Sequence, residues 1–240
     1  MCGGIGSRLR PFTNDRCKAM VEVAGLPLIN YDMAFAKAAG ADQIAIVGGY
    51  FFDDLKTMVK RYEPDALFIE NKDYQLQNAL SFKRVLEEAP PADLLVCDID
   101  FIRTKRMAQV MKTLPRDQVM LFVSRDIENY PDSMHIVVNE KGMITDLSKK
   151  LTDYQAISTG IFFVPASMLA TVRQATEEAI GELGAGEARV ESVLLTLIKS
   201  GVPVMAGDVG VRDWAEIDTP EEREEAEVFV AQHRSELAVY

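Results

Sequence analysis

Between residues 27 and 100 the hydrophobic period of this chain switches back and forth between helix and strand, and few folds accommodate that rhythm. PLINYDMAFAKAAG (27–40) has helical spacing closed by Gly40, and QIAIVGG after it is a short apolar run ending in glycines. FDDLKTMVKRY then has helical spacing, DALFIEN that of a strand, SFKRVLEEA that of a helix, and DLLVCDID that of a buried strand. Such alternation predicts an α/β fold: a Rossmann-like, mostly parallel twisted sheet flanked by helices, with ligands at the carboxyl ends of the strands.

From about residue 118 the texture changes. VMLFVSRD, SMHIVVNEKGMITDLSKK and AISTGIFFVP are β-segments joined by polar turns such as NEKG. ATVRQATEEAIGEL and VESVLLTLIKSG are predicted helices, PVMAGDV a strand, and TPEEREEAEVFVAQHRSELA a terminal helix capped by Thr219 with Pro220 at its first position. The acidic run in that helix is its solvated face, placed near the positive end of the helix dipole. With 240 residues and 48% hydrophobic composition the expectation is one domain, residues 1–117 forming one half and 118–240 a β-rich second half.

A net charge of −11 disfavours nucleic acid and anionic membranes as partners. No apolar run approaches the roughly 20 residues of a membrane span, and three cysteines without a CxxC pair suit a cytoplasmic location. His135 and His233 each stand alone in the sequence, which argues against metal binding by either.

Against this acidic background CGGIGSRLRPFTNDRCK (2–18) clusters glycines with Arg8, Arg10, Arg16 and Lys18. Glycines let backbone N–H groups approach an anion, and the cations offset its charge, so the segment reads as a polyphosphate site. It has neither the spacing of a P-loop nor that of a dinucleotide fingerprint. Carboxylates fall at the other expected cleft positions. Asp98 and Asp100 follow the apolar LLVC, and Glu216 and Asp218 sit in WAEID just before the last helix. Together with a phosphate loop they form a candidate Mg²⁺ set, since Mg²⁺ takes one or two carboxylates plus phosphate oxygens and water.

GGIGSRLRPFT, then CKAMVEVAGLPLI, resembles the signature of the sugar-phosphate nucleotidyltransferase superfamily, GxGxRLxPxT followed by PK and VxGxPLI. The resemblance implies that Gly3, Gly4, Gly6 and Ser7 wrap the triphosphate of an NTP and that Arg8 and Lys18 bind its phosphates. Cys17 replaces the proline of the PK pair, a change of loop rigidity more than of chemistry. Members of the superfamily begin with an apolar strand leading into the loop, so the resemblance also implies that the natural chain starts several residues before Met1. CDIDF and WAEIDTPEE are similar to the two aspartate motifs that bind the catalytic metal. Asp218 carries over cleanly, the first aspartate is Asp98 or Asp100 with Asp98 favoured, and Glu216 is an additional candidate.

NKDYQLQNALSFKRVLEE resembles a segment of phosphocholine and related cytidylyltransferases that faces the base, with Asn71, Tyr74, Asn78 and Ser81 matching. Gln75, Gln77 or Asn78 would supply amide donors and acceptors for cytosine. ITDLSKKLTDYQAISTGIFFV resembles a stretch of inositol-phosphate cytidylyltransferases, which implies that Lys149 meets the acceptor phosphate and that Thr159 and Gly160 line the acceptor pocket. Trp214 is either support for the acidic loop or one wall of a quaternary-ammonium cage, for which Tyr130 and Tyr154 are neighbours. The implied activity is transfer from CTP to a small phosphorylated or phosphonate acceptor, with Mg²⁺. A sugar-1-phosphate nucleotidyltransferase using UTP, dTTP or GTP, and a non-catalytic nucleotide-binding subunit, are the alternatives.

Overall fold

The computed structural model describes residues 1–2, 5–127, 133–210 and 213–239. Its first half follows the alternation: a small hairpin of β1 (Glu22–Val23) and β2 (Leu26–Pro27), then α1 (Leu28–Ala38), β3 (Ala45–Gly48), α2 (Phe52–Val59), β4 (Leu67–Glu70), α3 (Asn78–Glu88) and β5 (Leu94–Cys97). Two elements that the periodicity reading passed over come next, β6 (Phe101–Arg103) and α4 (Lys105–Thr113). The second half holds β7 (Val119–Ser124), β8 (His135–Val138), β9 (Ile144–Ser148), β10 (Ala156–Val164), α5 (Leu169–Leu183), α6 (Val190–Lys199), β11 (Val204–Asp208), β12 (Trp214–Glu216) and α7 (Pro220–Gln232).

The central sheet runs β11-β7-β10-β8-β9, with β5 also paired to β10. Helices flank it, as the alternation implies, but its strand directions are mixed. β7 and β11 are parallel, as are β3 and β4 in a separate pair, whereas β10 is antiparallel to β5, β7 and β8. One antiparallel pair has a local reason: β8 and β9 are joined by the NEKG turn, and a connection that short permits only antiparallel pairing. Asn139 organises that turn through its side-chain oxygen, which accepts from the N–H groups of Lys141 and Met143 at 2.9 and 3.0 Å.

Every residue of β7 is buried, so its two faces are covered differently. Val119, Leu121 and Val123 pack with Phe82 of α3, Val172 of α5 and Leu194 of α6. Met120 and Phe122 face the other way, onto Phe35 of α1 and Met107 and Met111 of α4. Period-2 alternation in one strand thus divides the molecule into two apolar layers. The last helix caps as expected: the Thr219 hydroxyl accepts from the Glu222 N–H at 3.2 Å, and the Glu222 carboxylate accepts from the Thr219 N–H at 3.0 Å.

Met1 and Cys2 lie between β3 and β5. The Cys2 N–H donates to the Val47 carbonyl at 2.8 Å, and the Met1 amino group donates to the Cys97 carbonyl. No helix among the described residues is long and apolar enough to cross a membrane.

Candidate active site

The carboxyl ends of these elements open onto a cleft of about 560 Å³. Its lining includes Gly6, Ser7, Arg8 and Lys18, then Gln75, Gln77, Asn78 and Ser81, the carboxylates Asp98, Asp100, Glu216 and Asp218, and Lys149 and Gly160. Gly3, Gly4 and Tyr130 lie outside the described residues.

Gly6 is placed by conformation and by space. Its φ is +65°, and an added Cβ would stand 3.1 Å from the Thr13 methyl and 3.3 Å from the Lys18 Cβ. The Thr13 hydroxyl donates to the Gly6 carbonyl at 2.8 Å and closes the turn. The chain then returns to Lys18, 8% exposed, whose ammonium donates to Asp218 at 2.6 Å and Asp100 at 3.3 Å. Arg8 reaches the other oxygen of Asp218 at 2.6 Å but is largely exposed, so its ion pair opens at little cost.

The carboxylates share too little positive charge. Burial pushes Asp98 up to about 7, reinforced by the neighbouring Asp100. Burial, Asp100 and Asp218 push Glu216 up to about 7 as well. Asp100 goes the other way: burial opposes its charge, but Lys18 and Arg103 outweigh that and lower its pKa. Lys18 is likewise penalised by burial, and Asp100 and Asp218 more than compensate, raising it.

A polyphosphate in such a cleft is ordinarily held together with a divalent metal ion. Among the described residues no three His, Cys, Asp or Glu side chains converge on one metal position. Asp100 and Asp218, however, are held by the same ammonium, and the Asp100 Oδ1 is buried without a hydrogen-bond partner. Two hard oxygen donors with room for phosphate oxygens and water fit Mg²⁺. The sequence favoured Asp98 over Asp100. The shared lysine instead groups Asp100 with Asp218, because the chain turns after β5 and enters β6, which pairs with β12 and so brings CDIDF beside WAEID.

Two expected acceptor residues stand elsewhere. Thr159 is fully buried, and its hydroxyl donates to the Phe122 carbonyl at 2.9 Å, a bond that turns it away from the cleft. Trp214 is 4% exposed in the apolar layer with Met107 and Phe163, so it supports the acidic strand and forms no cage wall. Tyr154 stacks on His135 with ring centroids 3.7 Å apart and does not line the cleft. Asn78 and Ser81 line the cleft but also carry structural bonds: the Asn78 side-chain oxygen accepts from the Val190 N–H at 3.0 Å, and the Ser81 hydroxyl accepts from Asn71 at 2.9 Å.

Ser133, Met134, Ser158, Arg189 and Glu191 also line the cleft and were not singled out from the sequence. Arg189 and Glu191 sit at the start of α6, whose Val190 N–H is tied to the Asn78 side chain of α3. An Arg-Val-Glu triplet at a helix start carries no signal of its own.

A sheet whose strand ends gather paired cations and carboxylates around one polar cleft is suited to a polyphosphate, and solved structures of the same fold are nucleotidyltransferases. One, the inositol-1-phosphate CTP transferase from T. maritima, matches with a TM-score of 0.83 over 98% of this chain and 94% of that one; at 22% identity the likeness is one of fold.

The chain belongs to the MobA-like NTP transferase domain family, matched over residues 1–185. A CTP:phosphoglutamine cytidylyltransferase of Campylobacter jejuni subsp. jejuni serotype O:2 is 30% identical over 141 residues, 59% of this chain and 47% of that protein. A bifunctional IPC transferase and DIPP synthase of Rubrobacter xylanophilus is 24% identical over 231 residues, 96% of this chain and 51% of that protein. The chain spans about half the length of these two relatives.

Proposed function

We propose that this chain transfers the cytidylyl group of CTP to a small acceptor carrying a phosphate or phosphonate, releasing pyrophosphate. The observation that carries the reading is Lys18, buried at the mouth of the glycine turn and held jointly by Asp100 and Asp218. Such a lysine suits a phosphate at one end of the reaction centre and a metal-binding carboxylate pair at the other. The cytidine preference rests on the amide-rich wall of Gln75, Gln77 and Asn78 and on the cytidylyltransferase named among the relatives.

In this mechanism the acceptor's phosphate oxygen attacks the α-phosphorus in line. The new P–O bond forms as the bond to the bridging α–β oxygen breaks, and the electron pair leaves with pyrophosphate. An ionised phosphate needs no general base, so the protein's contribution is positioning and neutralisation of charge. Lys18 and Arg8 hold the β- and γ-phosphates, Arg8 leaving Asp218 to do so. Lys149 meets the acceptor phosphate beside Gly160. Asp100 and Asp218 would hold Mg²⁺, with Asp98 and Glu216 near enough to adjust its charge balance; the ion supplies neutralisation at the α-phosphate. Donors that engage more strongly in the transition state contribute about 3 kcal/mol each.

The test is pyrophosphate release with each of the four common NTPs against phosphocholine, inositol 1-phosphate, aminoethylphosphonate and several sugar 1-phosphates. Release with CTP and a non-sugar acceptor supports the reading. Release with UTP, dTTP or GTP and a sugar phosphate replaces the substrate class, and nucleotide binding without release on the whole panel removes the transferase reading.

A further inference from the structure

At the cleft, where Ser158 and Gly160 line it, β10 breaks its ladder. Its pairing with β7 shifts register between Ser158 and Phe162, and Gly160 takes a φ of +68°. A Cβ there would stand 2.5 Å from the Phe101 ring. A bulge of this kind frees carbonyl groups from the sheet, and buried carbonyls need donors.

One side chain supplies them. Arg103, at the end of β6, has a side chain that is fully buried. Its guanidinium donates to the carbonyls of Thr159 at 3.1 Å, of Gly160 at 3.4 Å and of Asp98 at 3.3 Å, and to the carboxylate of Asp32 on α1 at 2.7 Å. The Asp98 N–H in turn donates to the Gly160 carbonyl at 2.9 Å. The Arg103 Cζ lies 4.6 Å from the centre of the Phe101 ring, the same ring that fills the space left by Gly160.

We propose that Arg103, with Asp32 as its counter-ion, is the positioning residue that locks the Asp98–Asp100 turn to the Gly160 bulge and so sets the carboxylate wall against the acceptor wall. The proposal rests on the transferase reading above. An apolar residue at 103 would fill the same space but take the guanidinium's bonds from the Thr159 and Asp98 carbonyls and leave that of Gly160 with the Asp98 N–H alone. A lysine there would keep the charge but lacks the planar fork whose two terminal nitrogens reach three carbonyls and a carboxylate together. The ion pair is not there to add stability, since buried pairs seldom outperform well-packed apolar replacements. Its role is geometric, and a misplacement of about 1 Å in a reacting constellation can cost about a hundredfold in rate.

The test compares wild type, Arg103→Lys and the paired replacement Asp32→Leu/Arg103→Met in steady-state pyrophosphate release, with thermal unfolding recorded for each. The paired replacement removes both charges together and leaves no orphaned ion. The expected result is a kcat lower by about ten- to a hundredfold in both variants, a KM for the nucleotide within about threefold of wild type, and a paired variant that melts below wild type because of the carbonyls it leaves unpaired but stays folded at the assay temperature. Retention of wild-type kcat by a folded Arg103→Lys or by the folded paired variant overturns the proposal. So does a loss of kcat fully accounted for by unfolding at the assay temperature. An inactive wild type instead overturns the transferase reading on which this rests.

Discussion

The two walls of the cleft balance their charges differently. On the proposed nucleotide side the cations are already engaged: Lys18 is held by Asp100 and Asp218, and Arg8 by Asp218. On the proposed acceptor side Lys149 is exposed and has no ion-pair partner among the described residues, while nearby Glu216 is raised to about 7. A pre-paired lysine is fixed in space before substrate arrives and can act on the transition state. An exposed lysine must be ordered by the acceptor itself, so it contributes chiefly to binding.

The largest effect that separates the walls is in turnover. Lys18→Ala and Asp218→Ala should each lower kcat by about 10²- to 10³-fold without unfolding the chain, measured as pyrophosphate release beside a circular dichroism spectrum. Lys149→Ala should instead raise the acceptor KM by about tenfold and leave the nucleotide KM within about twofold. If Lys149→Ala lowers kcat as far as Lys18→Ala, the contrast between a pre-ordered and a substrate-ordered wall is lost.

Stability against pH sharpens the same contrast. Asp98 and Glu216 have folded-state values of about 7 against ordinary values of 3.8 and 4.5. Between those limits the folded state holds protons that the unfolded state has released, so stability conferred by these groups falls as pH rises from about 4 to about 7. Asp100, lowered by its cations, acts oppositely, and its contribution disappears only below its ordinary 3.8. Without divalent metal, the denaturation midpoint should therefore decline from pH 5 to 7, and Asp98→Asn with Glu216→Gln should flatten that decline; an unchanged slope would show that these acids are not the source.

The smallest effects concern how the walls are built. Gly160→Ala meets both a positive φ and the Phe101 ring and should cost about 1 to 3 kcal/mol in urea unfolding. Asn78→Ala removes the cap that ties α3 to α6 and should cost about 1 kcal/mol, because it leaves the Val190 N–H unpaired.

Much of the proposed nucleotide side, as a cluster of residues, was legible in the sequence. Gly6, Arg8 and Lys18 lie within thirteen residues of one another, so one turn brings them together, and Asp98 and Asp100 lie at the end of an apolar run whose strand character is plain. Helix boundaries at Gly40 and Thr219 follow from local chemistry that operates on a few neighbouring residues. The acceptor side was less legible. Thr159 and Gly160 are adjacent, yet the bulge turns one into the core and leaves the other at the cleft, and no alternation pattern announces a bulge. Trp214 was ambiguous for a similar reason, since an aromatic beside acids can support a site from behind or face into it.

What the chain determined by itself was therefore the kind of fold and the glycine turn with its cations, because hydrophobic period, glycine conformation and helix capping are interactions between residues close in sequence. What only the tertiary structure decided was which carboxylate stands with Asp218, how strand directions mix around β10, and that Arg103 finds Asp32 and the carbonyls of two strands. These depend on contacts between residues 56 to 200 positions apart, where the pairing of β6 with β12 and the packing of α1 beneath the sheet select one partner among several of equal chemistry.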